Sequence, residues 1–313
     1  MKILVLGAGA VGGYFGGRLA EAGADVTFLV RPQRAATLAR EGLRIKSRFG
    51  DVSRQVQLVT QDALQPGYDL VILTAKAYDL ESAIEAIAPA VQGECMVLPL
   101  LNGMAHLAAL DARFGRERLL GGVAYIASTL GPDGGILHLN EYHRIAFGVR
   151  GGMGTGAARA AQVCESFAAA VAKTPADGDL NASIEQAMWD KWVLLASIAG
   201  MTCLMRAAVC DIVAATAGEK LMLAILAESA AVAQAEGFAV GAEAMARHRS
   251  QLTAKGSTMT ASMLRDVENG GRTEADNVLG AMLVLASRHS LAAPLLETAY
   301  THLQAYAARR ARV

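Results

Sequence analysis

The sequence has little of what marks a secreted, membrane-bound or nucleic-acid-binding chain. Four of its 313 residues are cysteine (Cys95, Cys164, Cys203 and Cys210), and no two form a CxxC pair. A disulfide framework is therefore not expected, and reduced thiols in a cytoplasm are. The six histidines (His106, His138, His143, His248, His289 and His302) show no ligand spacing, so no metal site is expected. Charged residues make up only 19%, and 29 basic residues balance 29 acidic ones. With no basic field, neither nucleic acid nor a membrane surface is an expected partner. The first apolar run, Ile3 to Leu6, is too short for a secretory signal, which points to a cytoplasmic location. The apolar stretch from Trp192 to Val209 is interrupted by Ser197, Gly200, Thr202 and Arg206, which fits a buried core helix better than a membrane span. There is no internal repeat.

What the chain does have is apolar mass. It is 53% hydrophobic, with a mean hydropathy of +0.31, enough for a large core. Its length exceeds one ordinary core, so two domains are expected. The first half alternates strand and helix signals. KILVLGAG reads as a buried strand ended by glycine, Gly12 to Ala22 as a helix ending at Gly23, and DVTFLV as a second strand. A helix near Arg34 to Glu41, a strand at Leu70 to Leu73, a helix at about Leu80 to Ala90 and the strand CMVLPLL continue the pattern. Such alternation predicts a parallel sheet covered by helices. Between Leu119 and Val149, short strands with glycine-rich turns are expected to complete that sheet. From about Ser183 the pattern is helical, over Ile184–Met205, Ile212–Glu236, Ala242–Gln251, Ser257–Asn269, Thr273–His289 and Pro294–Arg309. The expected architecture is an α/β N-terminal Rossmann domain with a parallel sheet (1–179), followed by an all-α C-terminal domain (180–313). Helices 212–236 and 273–289 carry more apolar residues than one face needs, which fits internal packing or a homodimer interface equally.

Gly7-Ala8-Gly9-Ala10-Val11-Gly12 is a GxGxxG motif. It follows a strand and opens a helix, the context that makes it a dinucleotide site. The first glycine permits the turn, the second lets backbone approach a pyrophosphate, and the third lets helix pack on strand. At the end of the second strand, an acidic residue would accept from an NAD ribose hydroxyl. Here Val30 is followed by Arg31, with Arg34 one helical step on. Arginine suits a 2′-phosphate, so NADPH is the expected cofactor; a pair of solvated arginines is the plainer alternative.

Lys191 heads an apolar stripe: at about 100° per residue its neighbours are Leu194, Leu195, Ile198, Ala199 and Thr202. Spacing alone favours a snorkelling surface lysine over a functional ammonium. Several separated segments together nevertheless resemble the ketopantoate reductase family, which reduces 2-dehydropantoate with NADPH. GAGAVGGYFGGRL and VTFLVR resemble the family's cofactor segment, TAKAYD its lysine-bearing turn, LLNGM its Asn-Gly-Met turn, WDK its catalytic lysine, and SMLRDVENGGRTEAD its C-terminal signature. The resemblance implies Lys191 as catalytic residue, Asn102, Ser262 and Glu274 as substrate-binding residues, and Lys76 and Asn102 beside the cofactor. Hydride transfer to a 2-oxo carbon builds negative charge on the carbonyl oxygen, and a lysine ammonium is a suitable acid and electrostatic stabiliser for it. Desolvation in the apolar stripe would lower its pKa, and a nearby Glu274 would oppose that.

Each residue also has a plainer reading. Asn102-Gly103 is a competent turn, and Lys76 fits a solvated loop. Ser262 fits ordinary helix surface. Thr273 with Asp276 resembles a capping box, in which Glu274 would only serve a helix N-terminus. The chain also departs from the family. Four and eight residues after the catalytic lysine, where the family usually carries asparagines, stand Leu195 and Ala199. Losing two amides points to rearranged contacts with ketopantoate or to a more apolar 2-oxo acid. Arg206 fits a carboxylate ligand or a helix cap equally. A reading of another class, a non-catalytic NADPH-binding sensor, would have no use for Lys191.

Overall fold

The computed structural model describes residues 1–312. The chain divides into two compact units, Met1–Leu101 with Leu107–Glu185, and Asn102–His106 with Gln186–Val313. Asn102–His106, although early in the chain, thus belongs with the helical half.

The first unit begins with strand β1 (Lys2–Leu6), helix α1 (Ala10–Glu21), strand β2 (Asp25–Leu29) and helix α2 (Pro32–Glu41). There follow the short strands β3 (Leu43–Lys46), β4 (Val52–Arg54) and β5 (Gln57–Val59). Next come β6 (Leu70–Leu73), α3 (Leu80–Ile87), β7 (Met96–Pro99) and α4 (His106–Phe114). Strands β5, β2, β1, β6 and β7, in that spatial order, make one sheet whose pairings are all parallel. The order reverses between β1 and β6, and ligands of open α/β sheets bind outside the carboxyl ends of strands at such a switch point. Strands β6 and β7 are fully buried, as runs covered on both faces should be.

The segment from Leu119 to Val149 does not complete this sheet. Strands β8 (Gly121–Leu130) and β9 (Ile136–Gly148) form a long antiparallel hairpin. This hairpin joins β3, β4 and β10 (Asp177–Leu180) in a second sheet. The GPDGG turn closes it with Gly134 N–H donating to Gly131 O at 2.9 Å and Gly131 N–H to Gly135 O at 2.7 Å. The ten- and thirteen-residue strands pair on both sides of a bulge between Ile126 and Ser128, and the isolated Val97–Leu119 bridge links this region to the first sheet. Helix α5 (Ala157–Val171), absent from the sequence expectation, packs Phe167 edge-on against Phe147 of β9.

The second unit is helical. Its long helix α6 (Ile184–Met205) starts in the last residues of the first unit, and apolar residues surround it, the signature of a buried helix. No helix among the described residues is long and apolar enough to cross a membrane. Around α6 lie α7 (Val209–Ala214), α8 (Gly218–Ala235), α9 (Ala242–Leu252), α10 (Ser262–Glu268), α11 (Ala281–Arg288) and α12 (Pro294–Arg310).

Three expected helices are altered. The one over 212–236 is two, because the chain turns at Ala215 and Gly218 seats against the Ile212 carbonyl with no room for a Cβ. The one over 257–269 starts only at Ser262, because Ser257 O and Met259 O accept from Cys210 N–H (2.9 Å) and Val209 N–H (3.1 Å), committing that stretch outside a helix. The one over 273–289 opens with a π turn, Asp276–Gly280, in which Ala281 N–H reaches back five residues to Asp276 O. Ala275 is already helical, and Val278 N–H donates to Glu274 O at 3.0 Å, so the helix starts directly after Glu274. The capping box read at Thr273 and Asp276 does not form.

Candidate active site

In the first unit, the chain leaves β1 through Gly7, whose φ of +86° only glycine adopts without strain. A Cβ on Gly12 would meet Gly7 O at 2.7 Å, so α1 can sit this close to the turn only without a side chain there. A Cβ on Gly9 would meet nothing within 4 Å, which leaves its backbone open to an approaching group. Gly9 caps α1 with no side-chain hydrogen bond, and the first turn, containing Ala10 and Val11, holds no acid. An open helix N-terminus of this kind favours an anion, so the Gly7–Gly12 cradle fits a dinucleotide pyrophosphate.

The two arginines separate sharply. Arg34 is spent on backbone: its Nη2 donates to Gly134 O at 2.8 Å and to Ala8 O at 3.2 Å, tying α2 to the glycine turn and the β8–β9 hairpin. Arg31 stands at the N-cap of α2 with its side chain 83% exposed, 3.9 Å from the Asp79 carboxylate. Asp79 ends the short 3₁₀ turn Ala77–Asp79, and Lys76 is its half-buried N-cap. Thr74 Oγ1 donates to Leu6 O at 2.9 Å and so ties the strand before Lys76 to the end of β1.

In the second unit, Lys191, Asn102 and Glu274 come together from three stretches of chain. Lys191 Nζ donates to Asn102 Oδ1 at 3.3 Å. The lysine is half-buried on α6 between Asp190 and the buried Trp192. Desolvation pushes its ammonium down to about 8, and the Glu274 carboxylate opposes the shift. Glu274 is itself buried, two residues before the π turn. The nearby carboxylate thus favours the charged form of an ammonium that burial alone would discharge further. Gly103 follows Asn102 with φ of +73°. Ser262 is the half-buried first residue of α10.

Other polar groups of α6 face elsewhere. Thr202, expected on the face of Lys191, is buried, donates to Ile198 O at 2.7 Å and accepts from Ala261 N–H at 3.4 Å. Ser197 donates to Val193 O at 2.7 Å within the core. Arg206 follows α6 and is exposed, with φ of +54°. Leu195 is half-buried and Ala199 fully buried. Burial pushes the Cys203 thiol up to about 12, which makes it a packing group rather than a nucleophile. No group of metal-ligating side chains occurs among the described residues.

Three contributors escaped sequence reading. Asn277 Nδ2 donates to Asn102 O, Trp192 Nε1 donates to Val278 O at 2.9 Å, and Asp79 faces Arg31. Trp192 lies beside WDK and Asp79 ends TAKAYD, but neither motif announces the partner. Asn277 carries no pattern at all.

Comparison with known proteins bears on the fold and the family. Residues 3–152 match the family model of ketopantoate reductase PanE/ApbA, and residues 183–307 match that of its C-terminal region. An uncharacterized oxidoreductase, YkpB, from Bacillus subtilis is 40% identical over 99% of this chain and 100% of its own. A crystal structure of 2-dehydropantoate 2-reductase from Geobacter metallireducens is 30% identical and superposes with a TM-score of 0.86, covering 97% of this chain and 99% of that one. The fold is also similar to that of D-mandelate dehydrogenase with NADH and anilino(oxo)acetate, at a TM-score of 0.87, 21% identity and coverage of 99% and 100%. The chain belongs to the ketopantoate reductase family.

Proposed function

We propose that the protein uses NADPH to reduce a 2-oxo acid, with 2-dehydropantoate as the first substrate to try and pantoate as its product. The observation that carries this reading is the Lys191–Asn102 hydrogen bond beside the buried Glu274. When bound, the cofactor supplies hydride to the 2-oxo carbon. The chain supplies everything else. Gly7, Ala8, Gly9, Ala10, Val11 and Gly12 receive the pyrophosphate at the start of α1, and Arg31 receives the 2′-phosphate. Lys76 pairs with an anionic group of the cofactor, and Asn102 orients the nicotinamide side and the substrate carbonyl. Lys191 stabilises the growing oxyanion and gives it a proton. With a pKa of about 8 it is about nine-tenths protonated at pH 7, yet a better proton donor than an ordinary lysine. Ser262 donates to the substrate carboxylate, and Glu274 accepts from a substrate hydroxyl.

One observation favours a second reading, in which the preferred 2-oxo acid is more apolar. Half-buried Leu195 puts hydrocarbon one turn beyond Lys191, while Ala199 and Thr202 are committed to the core. NADPH oxidation measured with 2-dehydropantoate and with a panel of branched and aromatic 2-oxo acids tests both readings. A kcat/KM on 2-dehydropantoate below ~10⁴ M⁻¹s⁻¹, with a better substrate in the panel, rejects the first. No turnover with any 2-oxo acid rejects both.

A further inference from the structure

The π turn at Asp276–Gly280 sits where Lys191 and Asn102 meet. A π turn inserts one extra residue into a helical turn and shifts carbonyls out of the ordinary i to i+4 ladder; such turns concentrate at functional sites. Here two side chains use it. Trp192, next to Lys191 on α6, donates to Val278 O at 2.9 Å. Asn277, next to Val278, donates through Nδ2 to Asn102 O. Asn102 in turn accepts from Lys191 through Oδ1 at 3.3 Å. Lys191 and Trp192 are adjacent, as are Asn277 and Val278, so these three hydrogen bonds close a ring.

Little space is left inside that ring. A Cβ on Gly103 would lie 2.7 Å from Asn277 O, so the Asn102-Gly103 turn lies directly against the π-turn backbone. The π turn is held from its other side as well: Tyr300 donates to Asp276 Oδ1 at 2.8 Å, and its ring lies where a Cβ on Gly280 would be. Asn102 comes from an irregular turn, so its own backbone conformation does little to hold its side chain. The Asn277 amide supplies that constraint.

We infer that Asn277 is a positioning residue: by holding the Asn102 carbonyl it aims Asn102 Oδ1 at the Lys191 ammonium. The role rests on Lys191 acting as the acid in the proposed reduction. In this role Asn277 acts through Asn102, whose carbonyl it holds.

The test uses Asn277→Ala and Asn277→Leu, the latter close to asparagine in shape but without a donor, together with Asn102→Ala and the double variant Asn102→Ala/Asn277→Ala. Lys191 is titrated in the unliganded protein by its rate of acylation with acetic anhydride across pH, read on its peptide by mass spectrometry. An acceptor on the ammonium favours the charged form, and Glu274 remains the facing charge in every variant. Both Asn277 variants should therefore lower the Lys191 midpoint by about half a pH unit. They should reduce kcat ~10-fold while leaving KM for NADPH within about twofold. The double variant should be no worse than Asn102→Ala alone. An unmoved Lys191 titration, or losses that add in the double variant, would overturn the inference. If the wild-type protein reduces no 2-oxo acid, the functional reading falls, and the acylation profiles still settle whether Asn277 acts on Lys191.

Discussion

Asn102 and Lys191 lie 89 positions apart in the sequence and 3.3 Å apart at the hydrogen bond between Oδ1 and Nζ. Neither is distinctive alone: one sits in a turn, the other near the start of a helix. They meet beside a buried carboxylate, and the proposed role of Lys191 as the acid rests on that meeting.

Removing the acid is the first check. Lys191→Ala should lower kcat by ~10²–10⁴ and leave the dissociation constant for NADPH nearly unchanged. Stopped turnover with intact binding separates an enzyme from a cofactor-binding sensor. A variant that still turns over at the wild-type rate rules Lys191 out as the acid.

The pH profile carries a sign. Lys191 must be protonated to donate, and its pKa is lowered to about 8. Activity should therefore be full below that value and fall as pH rises through it, not near the ordinary lysine value. Glu274 opposes the depression, so Glu274→Gln should move the alkaline limb to still lower pH. An alkaline limb that stays put in Glu274→Gln would mean the carboxylate does not act on the lysine.

Cofactor choice should turn on Arg31 and Asp79. Arg31→Ala should raise KM for NADPH far more than KM for NADH; equal effects would refute a 2′-phosphate role. Asp79 lies 3.9 Å from the same guanidinium and competes for it. The pair is exposed, so the competition is weak. Asp79→Asn should improve NADPH over NADH by no more than about fivefold.

Substrate choice should respond to Leu195. A Leu195→Asn variant restores an amide at a half-buried position four residues beyond Lys191. It should raise kcat/KM for 2-dehydropantoate relative to a branched apolar 2-oxo acid by about tenfold, the worth of one hydrogen bond to a buried acceptor. An unchanged ratio would show that this face does not meet the substrate.

Stability should depend on Trp192. Replacing it by Phe keeps an aromatic ring but removes the indole N–H from the buried Val278 carbonyl. Thermal or denaturant unfolding should register a loss of about 1–3 kcal/mol. A smaller change would mean that water replaces the indole.

By itself the sequence determined the local things. Strand and helix periods, the glycine turn, the alternation behind a parallel sheet and the buried helix from Ile184 to Met205 all follow from residues close together in the chain. Widely separated segments resembling one family pointed to Lys191, Asn102 and Glu274 as site candidates. Tertiary structure decided what depends on partners distant in sequence. It made β8 and β9 a second sheet, because two long strands satisfied each other. It split the helix at Gly218, where only a close approach to Ile212 shows why. It committed Arg34 and Thr202 to backbone partners and left Arg31 exposed. It also brought Asn277 to Asn102 through a π turn. A side chain's hydrogen-bond partner is set by which backbone atoms pack around it, and no local pattern encodes that.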